Sequence, residues 1–230
     1  MALVKFGAGV SEMRGKEGGV IYSKNAYGNY IKAKVTPTNP QTSYQQAVRA
    51  DLQGIAQSWA GLTEAQKNAW NALGDTVTRT NVFGDQTTYK GFGLFMRLNL
   101  NLKAIGQSPI SEAPTVPELD GISITSVTAE RSVDKLEIVF TPSQASKGTS
   151  IITYATYGLT EGRAFVKNLR RQIQVDSEST GTINALDSWK ARFGAVVEGT
   201  VIHVALKLVD ETTGFDGSLV VGSDVVEAGA

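Results

Sequence analysis

Residues 107–120 read Gln-Ser-Pro-Ile-Ser-Glu-Ala-Pro-Thr-Val-Pro-Glu-Leu-Asp and contain three prolines within nine positions. Proline lacks a backbone N–H donor and restricts the residue before it, so this run favours neither a helix nor an inner strand. The spacing of apolar residues also changes here, from a period of about 3.6 before the run to a period of 2 after it. We therefore predict a semi-rigid linker at 107–120 between a helical part and an all-β part.

Helices are predicted before the linker. Thr42 followed by Gln45, and Thr63 followed by Gln66, are capping-box patterns that mark two helix starts. Gly61 and Gly74 mark the corresponding ends. The first helix has one apolar stripe with steps of three and four residues, formed by Val48, Leu52, Ile55, Trp59 and Leu62.

A third helix is predicted from Thr88 to Ile105, with Gly106 as its stop signal. Its apolar residues cover more than one side: Phe92, Leu94, Phe95, Met96, Leu98, Leu102 and Ile105. A helix of this kind has to be covered by more than one neighbour. We expect another domain or another subunit to complete its packing.

The segment before these helices has two predicted parts. Residues 1–18 are rich in glycine and basic residues and are predicted to form a flexible basic arm. A β-hairpin follows, with Val20 and Ile21 on one strand, Tyr30 and Ile31 on the other, and a loop of turn-forming residues between them. The hairpin and the helices together form a predicted anchor domain at 19–106.

Residues 121–230 have the alternation and turn spacing of an all-β sandwich of the immunoglobulin or fibronectin-III type. One short helix is predicted within it, at 187–193. The predicted strands are 122–127, 136–140, 150–156, 164–169, 172–175, 200–209 and 219–226. The fold class predicted for the chain is therefore α+β, in two parts.

Composition excludes several kinds of site. The 230 residues include no cysteine and one histidine, His203, so thiolate metal sites, disulfides and a cysteine nucleophile are ruled out. His203 lies inside an apolar strand pattern, which favours a packed residue over a catalytic one. Asp210, Glu211 and Asp216 are interpreted as a solvated turn rather than a cation site. We expect no enzyme activity, catalytic residue, cofactor or metal.

Charge is distributed unevenly although the net charge is zero. Residues 1–103 hold 12 basic and 6 acidic side chains, a net +6, and residues 104–230 hold 10 basic and 16 acidic side chains, a net −6. Basic residues and tyrosines alternate near the N-terminus, a composition that suits a protein interface and, as the less favoured alternative, nucleic acid. The predicted partner interface consists of Lys5, Arg14, Lys16, Tyr22, Tyr27, Tyr30, Lys32 and Lys34.

A second basic run lies in the acidic half. If residues 163–171 are extended, then Arg163, Lys167 and Arg171 share one face of a strand. Such a stripe suits phosphates or an acidic partner surface, but internal ion pairing is the favoured interpretation.

Several motifs in residues 15–113 resemble a pattern in an uncharacterised family of bacteriophage and prophage virion-associated proteins. They are Gly18-Gly-Val-Ile-Tyr-Ser-Lys-Asn, Pro37-Thr-Asn-Pro-Gln-Thr, Trp59-Ala-Gly-Leu-Thr-x-x-Gln-x-x-Ala-Trp70 and Gly91-Phe-Gly-Leu-Phe. The resemblance implies a structural protein of the capsid, neck or tail. It also implies localisation in the virion, and in the host cytoplasm before assembly. Its partners would be other virion proteins or copies of itself.

Two alternative functions remain open. The first is nucleic-acid binding or packaging through the basic N-terminal segment. The second is host-surface or glycan binding by the sandwich through the aromatic residues Tyr154, Tyr157, Trp189 and Phe215. No membrane contact is expected, because no apolar run approaches the roughly 18 to 20 residues that span a bilayer.

Overall fold

The structure is a computed structural model of the chain. It describes residues 2–3, 7–10, 13–25, 28–80, 85–131, 135–144, 147–163, 165–177 and 179–227. Helices and strands both contribute, with a β-rich C-terminal part, which confirms the predicted α+β class. The chain divides into two compact units, residues 1–46 and residues 47–230.

The first unit contains a four-stranded antiparallel sheet, the N-terminal sheet. Its strands are β1 (Ala2–Leu3), β2 (Gly15–Glu17), β3 (Val20–Asn25) and β4 (Gly28–Ala33), in the order β1-β4-β3-β2. The predicted hairpin is therefore present as β3 and β4. Residues 2–3 and 15–17 of the predicted arm add a strand on each side of it. The turn before β3 uses Gly18 at a φ of +55°, which a residue without Cβ adopts readily.

Helix α1 (Ser43–Ala60) begins after the two prolines at 37 and 40 and ends beside Gly61. The Thr42 hydroxyl accepts a hydrogen bond from the N–H of Gln45 at 3.3 Å, as the capping pattern predicts. The reciprocal bond is not formed within the described residues, because Oε1 of Gln45 has no partner there.

Helix α2 (Glu64–Thr76) begins with the complete capping box predicted at Thr63 and Gln66. The predicted stop at Gly74 is wrong, because the helix continues to Thr76. Gly74 instead permits a close approach: a Cβ there would lie 2.8 Å from the carbonyl oxygen of Tyr89. The Tyr89 N–H donates to the Gly74 carbonyl at 3.1 Å, so the incoming chain is fixed directly against α2.

A short antiparallel ribbon connects α2 to α3. It consists of β5 (Thr78–Thr80) and β6 (Gln86–Thr88), and α3 (Gly91–Ala104) follows. Trp70 is fully buried and packs edge-on against Phe95, with ring centroids 5.2 Å apart. The buried residues of this helical core are Ile55, Leu62, Trp70, Leu94, Phe95 and Leu98.

The remaining strands form two antiparallel sheets. The four-stranded sheet has the order β10-β9-β12-β13 and the three-stranded sheet the order β11-β8-β7. The strands are β7 (Ser123–Glu130), β8 (Lys135–Thr141), β9 (Thr149–Ala155), β10 (Arg171–Ser177), β11 (Thr182–Asn184), β12 (Val201–Asp210) and β13 (Val220–Val225). Helix α4 (Leu186–Phe193) lies between β11 and β12.

Both of these sheets contribute to a second core. Leu136, Ile138 and Phe140 of β8 and Ile202, Val204, Leu206 and Leu208 of β12 all belong to it. Trp189 of α4 is 2% exposed in the same core and donates its indole N–H to the Thr156 carbonyl at 2.8 Å. The even-numbered residues of β12 therefore face this core, and the odd-numbered ones point to the other side of the sheet.

The predicted strand at 164–169 is wrong. Residues 167–169 form a short 3-10 helix (Lys167–Leu169), so Arg163, Lys167 and Arg171 do not form a stripe on one strand. Among the described residues of this stretch, 165–169, only Val166 is buried, and Phe165 is exposed. One apolar anchor does not provide the alternation that a half-buried strand needs.

The predicted linker is held within the second unit by several hydrogen bonds. The Ile110 N–H donates to Oδ1 of buried Asn99 at 2.6 Å. The Trp70 indole N–H donates to the Ser111 carbonyl at 2.9 Å, and Lys147 forms an ion pair with Asp120. Residues 107–120 thus form neither helix nor strand, yet they lie inside one compact unit rather than between two.

Helix α3 is covered on its second side by the four-stranded sheet. Lys207, on the outward-facing side of β12, donates to Oδ1 of Asn101 at 3.0 Å. The Asn101 side chain donates to the Gly214 carbonyl at 2.9 Å. Phe215, in the segment after β12, packs against the same helical core, so α3 has its second cover within residues 47–230, although Phe92 remains 44% exposed.

In the part of the chain that the structure describes, none of the helices has the length and apolar character that crossing a bilayer requires.

Candidate functional site

The N-terminal sheet shows no buried side chain wherever its burial is described. At residues 7–10, 13–24 and 28–54 no residue is buried, and the next residue, Ile55, is. A small sheet needs a covered hydrophobic face, or a helix packed on it, to be stable independently. The sheet is therefore a candidate surface for contact with a partner.

One face of this sheet carries a cluster of apolar residues, with Glu17 and Lys24 also on that face. In the strand register Tyr22 lies opposite Ile31 and Val20 opposite Ala33, and directly opposed residues of an antiparallel pair share a face. Val20, Tyr22 and Ile31 are only partly buried. We call Val20, Tyr22, Ile31 and Ala33 the apolar face.

The opposite face is basic. Lys16 of β2, Ile21 of β3 and Lys32 of β4 are directly opposed across three strands, and Tyr30 lies on the same face opposite Ser23. Within the described part of the chain neither lysine forms an ion pair. Lys16, Ile21, Tyr30 and Lys32 are the basic face.

The register thus separates residues that the sequence predicts to act together. Tyr22 belongs to the apolar face, and Lys16, Tyr30 and Lys32 belong to the basic face. Arg14 precedes β2, and Lys34 follows β4 with its N–H donating to the Gly19 carbonyl at 2.8 Å. Lys5 and Tyr27 lie outside the described residues.

Helix α1 has a further apolar surface that the sequence pattern does not distinguish. Val48 and Leu52, predicted as part of the apolar stripe, are 48% and 47% exposed. Tyr44, one turn earlier on the same helix, is also exposed. Only Ile55 and Leu62 of the predicted stripe are buried. The first three turns of α1 therefore present apolar side chains to solvent.

The three carboxylates near the turn after β12 have separate partners. Oδ1 of Asp210 accepts hydrogen bonds from both the N–H and the hydroxyl of Thr212 and of Thr213. Partial burial acts to raise the pKa of Asp210, but these hydrogen bonds outweigh it and hold the pKa below its ordinary value. Glu211 accepts from the Ser150 hydroxyl at 2.6 Å. In the described ranges no cluster of three or more potential metal ligands occurs.

Asp216 belongs to a polar cluster that the sequence does not predict. Its side chain is 9% exposed and accepts from Arg97 Nη2 at 2.6 Å and from Lys207 Nζ at 3.0 Å. Asn101 donates to the same carboxylate at 3.1 Å. More than 100 residues separate Arg97 from Asp216, so no local pattern signals the contact. Its role is to dock α3 on the sheet.

His203 lies on the outward side of β12. Its backbone N–H donates to the Thr156 hydroxyl at 3.2 Å. Burial, followed by the charge of Arg170, lowers the pKa of His203 below its ordinary value. The imidazole is therefore neutral at pH 7 and offers one donor and one acceptor.

Two of the four aromatic residues expected to bind glycans are unsuited to it. Trp189 is buried, and Phe215 packs against the helical core. Tyr157 is 42% exposed, and Tyr154 is partly buried. Position in a strand or loop does not predict which aromatic side chains are accessible.

Comparison with protein-family models and with curated proteins found no match to this chain.

Proposed function

We propose that the chain is a structural protein of a bacteriophage virion, associated with the capsid, neck or tail and anchored by its N-terminal sheet. The observation that carries the proposal is that no residue is buried at 7–10, 13–24 and 28–54, where the structure describes burial. The phage assignment rests on the resemblance of residues 15–113, and the anchoring role rests on the sheet.

The energetics favour completion of the sheet by a partner. Full burial of a Val, Ile or aromatic side chain stabilises by roughly 1.5 to 3 kcal/mol relative to exposure. Ordering each residue of a strand costs about 1 to 2 kcal/mol of conformational entropy. In the chain alone, the burial of Val20, Tyr22 and Ile31 is only partial. A partner that covers these side chains would therefore stabilise the sheet by about several kcal/mol.

The faces are better suited to this contact than the edges. Strand addition at a hairpin edge is one way in which such a sheet can bind a partner. Each edge of the β3–β4 hairpin is already paired, with β2 along residues 20–22 and with β1 at residues 30–31. Val20, Tyr22 and Ile31 of the apolar face remain partly exposed, and the exposed stripe of α1 offers a second contact.

We propose further that the β-rich part is an immunoglobulin-like sandwich of the fibronectin-III type, displayed outward. Lettered in chain order as A, B, C, C′, E, F and G, strands β7 to β13 give sheets A-B-E and C′-C-F-G. The end of A also pairs in parallel with the chain after G, at Glu130 and Glu227. This strand order and this closure support the assignment.

The anchoring proposal is tested by the double variant Tyr22→Ser/Ile31→Ser in the full chain, with the phage propagated on host cells. We expect the wild-type chain in purified particles by mass spectrometry and the variant reduced at least about tenfold, which equals about 1.4 kcal/mol of contact energy. Val35→Ser is the matched control, because Val35 is 77% exposed and lies outside both faces. Absence of the wild-type chain from particles, or full incorporation of the double variant, contradicts the proposal.

The basic face supports a second candidate, nucleic-acid binding. Lys16, Lys32 and the neighbouring Lys34 are unpaired within the described residues. Three phosphate contacts give a slope of about −3 in log affinity against log salt on duplex DNA. A slope near zero, or retention that Lys16→Gln/Lys32→Gln leaves unchanged, argues against this candidate.

A further inference from the structure

β13 is an edge strand of the four-stranded sheet and is bonded to β12 on one side only. The Val226 N–H donates to the Thr200 carbonyl at 2.8 Å, so the even-numbered residues of this strand bond β12. Along an antiparallel strand, the backbone groups of alternate residues point to opposite sides. Those of Val221, Ser223 and Val225 therefore point away from β12. Within the described residues, no hydrogen bond reaches these outward N–H and C=O groups.

The open edge has a defined end. Just beyond β13, the Glu227 N–H donates to the Ala129 carbonyl and the Glu227 carbonyl accepts from the Arg131 N–H, both at 3.0 Å. The Asp224 carboxylate accepts from the N–H of Ala129 at 2.9 Å. The chain at the end of β7 therefore closes the edge after β13, and the open part is 221–225.

The other edge strands of the two sheets carry features that hinder further pairing. Charges, bulges and short length are the means by which proteins protect such edges. β10 carries Arg171 and Asp176, and its register shifts between Gln172 and Gln174. β7 also contains a register shift, and β11 is three residues long. β13 keeps an unbroken register with β12, and its single charged residue, Asp224, already bonds β7.

The outer side chains along the open edge are apolar or uncharged. Val221 is 53% exposed, Val225 is 43% exposed, and Ser223 between them is exposed as well. Apolar side chains beside unpaired backbone groups favour the addition of another strand, which gains main-chain hydrogen bonds and side-chain contacts together.

The sequence of β13 is complementary to a second copy of itself. In an antiparallel pair centred on Ser223, Val221 lies opposite Val225 of the second copy, and the two serines face each other. On the inner side, Asp224 lies opposite Gly222 of the second copy, so the carboxylates are not directly opposed. Like charges in opposed positions destabilise a strand pair, and this register contains none. Because the arrangement is two-fold symmetric, one patch serves both copies.

We propose that two copies of this chain associate through β13, whose open edges pair in antiparallel orientation so that the two four-stranded sheets continue as one. Each of the residue pairs centred on Ser223 then exchanges both of its backbone hydrogen bonds. Val221 and Val225 supply the apolar contacts. The contact lies in the β-rich part and does not depend on the anchoring role of the N-terminal sheet.

Site-specific cross-linking tests the pairing, because the chain has no cysteine of its own. The Cα atoms of a hydrogen-bonded antiparallel pair are about 5.5 Å apart, within reach of a short bis-maleimide linker. Ser223→Cys in the full chain places one thiol from each copy at the centre of the proposed interface. Ser177→Cys is the matched control, because Ser177 is an exposed serine at the end of the opposite edge strand, β10.

Two charge variants in the Ser223→Cys chain test the register. Val221→Lys/Val225→Lys places lysines opposite each other, whereas Val221→Lys/Val225→Glu places each lysine opposite a glutamate. Both valines are exposed, so the fold of the single chain tolerates the changes, and thermal unfolding of each variant checks this. Analytical ultracentrifugation of the unchanged chain over a range of concentrations measures the association directly.

We expect Ser223→Cys to give at least about tenfold more cross-linked dimer than Ser177→Cys. The lysine–lysine variant should lower this yield at least about tenfold, and the lysine–glutamate variant less than about threefold. Equal yields at the two serine positions, or in the two charge variants, overturn the proposal. So does a chain that stays monomeric up to its limit of solubility, or cross-linking of position 223 in particles to a different protein alone. Because the isolated chain is measured, this proposal and the anchoring proposal fail separately.

Discussion

Arg97 of α3 and Asp216 of the segment after β12 form an ion pair of 2.6 Å that joins the helices to the β-rich part. The guanidinium also donates through Nε to the same oxygen at 3.0 Å and lies 5.3 Å from the ring centroid of Tyr89. Lys207 holds the other carboxylate oxygen. Residues 47–230 are therefore expected to unfold as one cooperative unit rather than as a helical and a β domain.

Asp216→Asn tests this coupling. The change leaves Arg97 and Lys207 as partly buried cations without their counter-charge, and we expect a loss of about 2 to 4 kcal/mol in the free energy of unfolding, measured with urea. Asp51→Asn is the control, because its 3.9 Å pair with Lys103 is about half exposed and contributes less than about 0.5 kcal/mol. A loss below about 1 kcal/mol for Asp216→Asn, or two separate unfolding transitions in the wild type, contradicts the coupling.

Gly214→Ala tests the close contact beneath α3. Gly214 has a φ of +75°, and a Cβ there would lie 2.3 Å from the Leu98 carbonyl oxygen. Backbone strain and collision act together, so we expect a loss of about 3 kcal/mol or more. Gly199 has a φ of +73° with open space around it. Gly199→Ala therefore measures the cost of backbone strain alone, expected as a loss of about 1 to 2 kcal/mol in the free energy of unfolding. Equal losses in the two variants, measured by chemical denaturation, exclude a steric role for Gly214.

The helices were predictable because their signals are local. Thr63 and Gln66 are three residues apart, and the apolar spacing of α1 and α3 is read within each helix. The same spacing does not show which side chains are covered: Val48 and Leu52 share the pattern of Ile55 but are exposed. The sequence also contains no signal for the surface that packs on α3, because Lys207 and Asp216 lie more than 100 residues after Asn101 and Arg97, which they contact.

Asp210→Asn is predicted to destabilise the protein in a pH-dependent way. Hydrogen bonds outweigh partial burial and hold the pKa of Asp210 below its ordinary value. A carboxyl group whose pKa is lower in the folded than in the unfolded state stabilises the fold fully above its unfolded-state pKa. That stabilisation is lost as the pH falls through the folded-state pKa. The variant should therefore be less stable than wild type at pH 7, with a difference that shrinks towards pH 3. Glu118→Gln, an exposed change, should show no such trend; a constant difference across pH would refute the assignment.

Asp176→Asn is expected to stabilise the protein at pH 7, whereas Asp210→Asn is expected to destabilise it. Burial raises the pKa of Asp176 despite a 2.6 Å hydrogen bond from Gln174. The ionised form is then penalised in the folded state, so wild-type stability gains as pH falls through the raised pKa. The variant should unfold at a higher temperature than wild type at pH 7, and the difference should disappear in acid. A lower unfolding temperature at pH 7 contradicts this.

The candidate sites were predictable only in part. The sequence indicated the basic and aromatic composition around Tyr22 and Lys32, but the strand register decides that these two residues lie on opposite faces. β11 is three residues long and too short for alternation to show. Phe165 and Val166 favour a strand by residue type, whereas the structure uses one as a buried anchor and leaves the other exposed.

Hydrogen exchange of the β3 and β4 amides, compared between the isolated chain and purified particles, tests most directly whether a partner completes the N-terminal sheet. In the isolated chain we expect these amides to exchange much faster than those of β12, which lies over a closed core. In particles the exchange of these amides should be slower by at least about a hundredfold, which is equivalent to roughly 2.8 kcal/mol of added protection free energy. Equal protection of β3 and β4 in both states would contradict the account.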